Sequence, residues 1–356
     1  MQADGPAIQS DPRRAMIDWA RFTALVQSSQ AVLLTTHIRP DADAIGSTLA
    51  MGEILRQVGK AVSIVADFEV PPRYRFLDPS GKIQGLGREV AVGQLPAFDL
   101  LLVLDTSAWA QLGAMGEVLR STSARKAALD HHLSADDLGA ELFRDTSAEA
   151  TGRLVYEAAR HLGVRITPQV ATWLFAALAT DTGWFRFNST SAETYRLAAE
   201  LAEAGVVPHQ MYRDLYENDT LGRLQLTGRA MARAQSDLAG RLIYTWLEQD
   251  DFQASGALPS ESEDIINLTF SVGVAEVAAM FVEQQAGATK VSLRSRGSLD
   301  CSRIVEQFGG GGHHAAAGVI LPQPLPVVRD KLLGALRAAM GPSGFSDAKV
   351  TDSANH

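Results

Sequence analysis

The sequence predicts an α/β protein: an N-terminal doubly wound domain on a mainly parallel sheet, joined by a linker to a smaller α/β domain with a mixed sheet. Three observations carry this expectation. Short runs dense in Val, Ile and Leu, at 31–35, 61–66 and 100–104, read as strands, and the last two look covered on both faces. Helical periods separate several such runs, and strands alternating with helices indicate a parallel sheet. After Gly205 the chain turns polar, and a second set of strands and helices follows.

In chain order, residues 14–29 read as an amphipathic helix leading into the strand at 31–35. Residues 44–55 read as a helix closed by Gly59. Strands are expected at 61–66, 100–104 and 126–129. The helical period at 147–162 stops at Gly163, and Thr167-Pro168 caps a helix running to about Ala179. Ser191 caps another that ends at Gly205. The first domain is therefore expected over 14–205, the linker over 206–220 and the second domain over 221–342. In the second domain we expect a helix near 221–237, strands at 242–247, 277–282, 290–294 and 316–321, and helices at 300–308 and 326–340. The small, polar residues 343–356 are expected to be a disordered tail.

The chain has 356 residues, room for two domains, and its 46% hydrophobic and 21% charged content is that of a globular protein. A formal net charge of -9 argues against coating long nucleic acid, single or duplex, but leaves room for a local basic pocket. Cys301 is the single cysteine, which excludes an internal disulfide and a thiolate metal site. No apolar stretch approaches the length of a membrane span, and the polar first residues carry no secretory signal, so no membrane association and a cytoplasmic location are expected.

The stretch His37-Ile38-Arg39-Pro40-Asp41-Ala42-Asp43 follows the first strand directly. An imidazole and two carboxylates in one βα turn suit a divalent cation such as Mn2+, Mg2+ or Zn2+. The plainer alternative is a polar turn with Asp43 as helix N-cap. Asp105 follows the strand at 100–104, Asp130-His131-His132 follows the one at 126–129, and Asp181 follows an apolar helix. All can converge on the ligand-binding edge of one parallel sheet. In the second domain, the run Gly309 to Gly312 before His313-His314 frees backbone N–H groups for an anion, or else is a flexible loop. Arg294-Ser295-Arg296 favours the anion reading, because a guanidinium can grip a phosphate at two points. Trp173 and Phe175 read as core, His161 and His209 as surface, and Arg186 as a phosphate contact or a solvated side chain in equal measure. Cys301 needs no redox role.

Together these motifs resemble the DHH phosphoesterase family, named for the triplet seen here as Asp130-His131-His132. Four N-terminal motifs match in order: His37-x-x-x-Asp41-x-Asp43, Asp105 in Val-Leu-Asp-Thr-Ser, the triplet, and Asp181 in Thr-Asp-Thr-Gly. Gly309-Gly310-Gly311-Gly312-His313 with Ala316-Ala317-Gly318 is similar to the DHH-associated substrate domain. The likeness covers about residues 15–340, and length and spacing most resemble the NrnA-type group of bifunctional oligoribonucleases and 3',5'-bisphosphonucleotide phosphatases.

The resemblance implies two cations, usually Mn2+, with Mg2+ or other divalent ions also accepted. His37, Asp41, Asp105 and Asp181 would hold one; Asp43, Asp105, His131 and Asp181 would hold the other. Asp130 would orient a neighbouring histidine, and His132 would face the substrate phosphate. Arg294, Ser295, Gly311, Gly312 and His313 would bind substrate. The implied reaction cuts very short oligoribonucleotides to 5'-mononucleotides and converts 3'-phosphoadenosine 5'-phosphate to AMP. The alternative is a phosphodiesterase of linear or cyclic dinucleotides such as pApA and c-di-AMP. An inactive nucleotide sensor would have lost a ligand, and none is missing. The resemblance leaves room for a homodimer.

Overall fold

Apolar strands with no polar face need cover on both sides, and the first unit of the structure supplies it. The structure is a computed structural model; it describes residues 17–312 and 314–341, and the chain divides into two units after Asn218. The first contains α1 (Trp19–Gln27), β1 (Ala31–Thr35), α2 (Ala42–Gln57), β2 (Ala61–Ala66), β3 (Ile83–Gly85) and β4 (Leu100–Leu104). There follow α3 (Met115–Ser121), β5 (Arg125–Asp130), β6 (Glu141–Arg144), α4 (Thr151–His161), α5 (Pro168–Asp181), α6 (Ala192–Glu203) and α7 (Pro208–Tyr216).

The strands form a wholly parallel sheet in the order β3-β2-β1-β4-β5-β6. The order reverses between β1 and β4, so the loops leaving these two strands part and open a crevice at their C-terminal ends. Alternate residues divide between two cores. Leu33, Leu101 and Val103 pack with Met115, Val118 and Leu119 of α3, while Val32, Leu34, Leu100 and Leu102 pack under α2, α4 and α5. The doubly wound, parallel architecture expected from the sequence is the one found.

Helix α2 is the centre of the larger core: within it only Glu53, Arg56 and Gln57 escape burial. Its close approach to α5 depends on Gly46, where a Cβ would collide with the carbonyl oxygen of Trp173. Trp173 and Phe175 are core residues, as expected.

The second unit contains α8 (Leu221–Ala232), β7 (Gln235–Asp237), β8 (Leu242–Leu247), α9 (Gln249–Ser255), β9 (Val277–Glu283) and β10 (Thr289–Ser295). It continues with α10 (Cys301–Glu306), β11 (Gly311–Gly312), β12 (Ala316–Leu321) and α11 (Leu325–Met340). Its sheet runs β11-β12-β10-β9-β8-β7 and is mixed, with β8 and β9 parallel and the other pairs antiparallel. In β9, Val277, Ala279 and Phe281 face α10 and α11, whereas Ala278, Met280 and Val282 face α8. No described helix is long and apolar enough to cross a membrane.

Several boundaries differ from expectation. The expected linker largely folds: α7 occupies 208–216, and its Met211 and Leu215 are buried in the first core. Two buried apolar residues four apart, with Tyr212 and Tyr216 packed on Trp184, anchor a segment whose composition is polar. The helix expected to reach 237 stops at Ala232, and 235–237 form the edge strand β7. Strands β3 and β6, three and four residues long, and the seven-residue helix α3 were too short to show a period. The expected tail at 343–356 lies outside the described residues.

Gly46→Ala should destabilise the protein. Helix propensity alone would favour Ala by roughly 1 kcal/mol. Overpacking against an unyielding backbone costs about 1–3 kcal/mol and should prevail. A urea melt should show a lower midpoint at unchanged slope.

Candidate metal centre

Three neighbouring strands deliver the site. His37 lies two residues beyond β1, Asp105 immediately after β4, and Asp130 ends β5 with His131 and His132 following. Asp105 adopts φ 62°, which turns the chain sharply at the sheet edge, and Asp is one of the few residue types that tolerate this region. Asp41 is the N-cap of α2, accepting a hydrogen bond from the Ala44 N–H at 2.9 Å. This corrects the plainer sequence alternative: Asp43 is not the cap but sits buried in the first turn. Asp181 is the last residue of α5 and so arrives on a helix end rather than a strand end.

These residues meet. Ligand atoms of His37, Asp41 and Asp105 lie within 4.8 Å of one another, as do those of Asp43, His131 and Asp181, and those of Asp105, His131 and His132. Asp181, which the resemblance would place on both cations, falls in the second of these groups. His37 Nε2 is 3.4 Å from Asp105 Oδ2. His131 is more telling. Its Nδ1 is 3.1 Å from the Ala148 carbonyl, an acceptor only, so Nδ1 carries a proton and donates it there. Its Nε2 then lies 3.2 Å from Asp181 Oδ2, 3.6 Å from Asp105 Oδ1 and 3.8 Å from Asp43 Oδ2. A nitrogen lone pair among three carboxylates needs positive charge between them, either a proton or a metal ion.

The electrostatics agree. Asp105 is pushed well above the ordinary carboxylate range by burial, then by Asp43, Asp41 and Asp181. Asp181 is pushed up to about 9 by burial, then by Asp43 and Asp41. Burial raises Asp43 and lowers His37. The mixed nitrogen and carboxylate donor set fits hard to borderline divalent cations.

Asp130 behaves differently. Burial pushes its carboxyl up, but hydrogen bonds from His132 (2.8 Å) and Ser107 (2.6 Å) outweigh it and hold Asp130 below its ordinary value. The bond to Asp130 raises His132, whose side chain is half exposed.

Residues 31–178 match the family described as DHH family, N-terminal domain, and residues 242–341 match the DHHA1 domain. A bifunctional oligoribonuclease and PAP phosphatase NrnA from Thermus thermophilus is 30% identical over 92% of this chain and 97% of its own. The chain belongs to the DHH family. Another protein of that name, from Bacillus subtilis, is 26% identical over 81% of this chain and 88% of its own. An exopolyphosphatase-related protein from Bacteroides fragilis has the same fold, with a TM-score of 0.84 at 24% identity, covering 93% of this chain and 97% of that one.

The DHH residues rest on partners that sequence reading missed. Asp43 accepts hydrogen bonds from Ser47 Oγ (2.8 Å) and from the Thr151 and Gly152 N–H groups (2.7 and 2.9 Å). The first turn of α4 thus offers its amides to a carboxylate. A Cβ on Gly152 would collide with Ala177, so glycine permits this approach. Thr151 Oγ1 also donates to Asp105 Oδ1 at 2.8 Å. Ser47 stands four residues from Asp43, a helical spacing that sequence could have offered; Thr151 gave no such signal.

In the DHHA1 unit, Arg294 and Ser295 end β10, and Arg294 is paired in register with Ala316 of β12. No carboxylate among the described residues lies within ion-pair distance of Arg294. Arg296 instead donates to the carbonyls of Phe270, Val272, Gly273 and Ala275, a structural role. The glycine run is not a loose loop: Gly311 and Gly312 pair with Gly318 and Ala317 of β12. Side chains at Gly310 or Gly312 would collide with β12. His313 lies outside the described residues. Burial pushes the Cys301 thiol up to about 11, consistent with an inert core residue. His161 and His209 are exposed, and Arg186 donates from Nε to the Gly183 carbonyl.

Two outcomes follow from this geometry. Thr151→Val removes the hydroxyl from Asp105 and keeps the backbone N–H on Asp43. It should lower metal affinity or activity about 10–100-fold, read by metal titration and initial rates. The second concerns pH in chelator-treated protein. Asp181 has a folded value of about 9 against an ordinary 3.8, so the folded state holds a proton that the unfolded chain has released between those limits. That contribution is full below about pH 4 and is lost as pH rises through about 9. Thermal melts should therefore show stabilisation by added Mn2+ growing with pH across this window, with proton release on binding.

Proposed function

We propose that this chain is a divalent-cation-dependent phosphoesterase that degrades very short oligoribonucleotides to 5'-mononucleotides and dephosphorylates 3'-phosphoadenosine 5'-phosphate to AMP. The observation that carries this reading is His131 Nε2 within 3.8 Å of Asp43, Asp105 and Asp181, beside the group of His37, Asp41 and Asp105. The DHH family and the two relatives named as oligoribonuclease and PAP phosphatase support it.

His37, Asp41 and Asp105 would hold one cation and Asp43, His131 and Asp181 the other, with Asp105 close enough to both His37 and His131 to serve either group; manganese suits this donor set. Bound cations would supply Lewis-acid charge and an activated water for in-line attack on phosphorus. The protein's own part is to hold that phosphorus. His132, whose protonated form the bond to Asp130 favours, would present its other ring nitrogen as a donor to a phosphate oxygen, and Ser107 fixes Asp130 in turn. Thr151 and Ser47 keep the carboxylates from rotating. Arg294 and Ser295, with Gly311, Gly312 and His313, are assigned to a phosphate of the substrate.

A product time course with Mn2+ tests the reading, using a ribodinucleotide, a long single-stranded RNA, 3'-phosphoadenosine 5'-phosphate and cyclic di-AMP. The dinucleotide and the bisphosphate should disappear fast while the long RNA is spared. Asp105→Asn should lose at least about 100-fold in kcat, on the scale of removing one charge-stabilising group. Preference for cyclic di-AMP would point to a dinucleotide phosphodiesterase instead. Absence of all turnover would sink the enzymatic reading.

A further inference from the structure

The turn after Asp181 holds three successive residues in the left-handed region: Gly183 (φ 56°), Trp184 (φ 57°) and Phe185 (φ 63°). Bulky side chains seldom accept that backbone, and such strain survives where the surroundings dictate it. Thr182 does so here. Its buried hydroxyl accepts the Phe185 N–H at 3.1 Å, and its carbonyl accepts those of Arg186 and Phe187 at 2.9 and 3.0 Å. Trp184 and Phe185 are locked into a ring cluster: Trp184 against Phe175, Tyr212 and Tyr216, and Phe185 stacked on Tyr195 at 5.5 Å.

The result is that the chain doubles back and brings Phe187 beside Gly183, two residues after Asp181. The outer edge of its ring (Cζ, Cε1 and Cε2) lies so close to Gly183 that any side chain there would strike it. No other aromatic ring among the described residues packs on Phe187, and it remains 52% exposed. Five residues therefore join a carboxylate of the metal cluster to a half-exposed ring on a preorganised turn.

A nucleobase stacks on such a ring through its π-face, whichever base it is. We propose that Phe187 is a stacking platform for a nucleobase of the substrate, so that one turn places both the phosphorus and the base one sugar away. This deepens the nucleotide phosphoesterase reading and rests on it: the site requires a base but does not select which one. The neighbouring Arg186, tethered through Nε to the Gly183 carbonyl at 2.7 Å, stiffens the same turn.

The test titrates AMP and ribose 5-phosphate into full-length, Mn2+-loaded wild type, Phe187→Ala, Phe187→Leu and Phe187→Tyr. The ratio of AMP to ribose 5-phosphate affinity should fall about ten-fold in the Ala and Leu variants and return in the Tyr variant. Leu keeps an apolar cover over Gly183, so a ratio preserved in Leu would mark Phe187 as packing and overturn the proposal. Equal losses for both ligands, an unchanged ratio, or wild type binding AMP no tighter than ribose 5-phosphate would overturn it too. The readout needs no turnover, so failure of the wild type to hydrolyse a ribodinucleotide would count against the phosphoesterase reading and leave this comparison intact.

Discussion

Like-charge crowding governs this molecule. Asp41, Asp43, Asp105 and Asp181 crowd one sheet edge closely enough to raise one another's affinity for protons, and burial drives Asp43, Asp105 and Asp181 above the ordinary carboxylate range. Water cannot relieve such a cluster in a buried crevice; protons or cations must. The helix amides of Thr151 and Gly152 and the hydroxyls of Ser47 and Thr151 offset part of the repulsion. They also fix the carboxylates in place, which a set of free side chains repelling one another would not achieve.

The rest of the first unit is the scaffold that this crowding demands. A parallel sheet with its reversal between β1 and β4 puts the ends of adjacent strands at one crevice. Helix α5 must then reach that edge with Asp181 at its tip while lying against α2. Only small residues allow it: Gly46 in α2 under Trp173, and Gly152 in α4 against Ala177. The same glycines that let helices touch also set where Asp43 and Asp181 stand.

Much of this was legible in the chain because the chemistry is local. His37, Asp41 and Asp43 share one turn, Asp105 follows a dense apolar run and the Asp130 triplet follows the expected strand at 126–129, so strand ends and ligands announce each other. The parts that stayed hidden are those without local signal. Thr151 reaches Asp105 across 46 residues through an ordinary hydroxyl. Helix α7 hides in a polar stretch because it buries only Met211 and Leu215, with Tyr212 and Tyr216 packed on Trp184 beside them. In the glycine run the composition misled: four glycines read as freedom, yet Gly310 and Gly312 are demanded by close contact with β12, which is confinement.

Two adjacent histidines show how little is needed to divide labour. His131 and His132 have the same ring, and their centroids stand 4.7 Å apart. The partner of Nδ1 separates them. For His131 it is the neutral carbonyl of Ala148, which fixes the tautomer and leaves Nε2 a lone pair toward the carboxylates. For His132 it is the ionised Asp130, which favours the doubly protonated ring and makes its other nitrogen a donor. One histidine is thereby suited to a cation and the next to an anion. Asp130, held below its ordinary value by the hydrogen bonds from His132 and Ser107, is what makes the two rings differ.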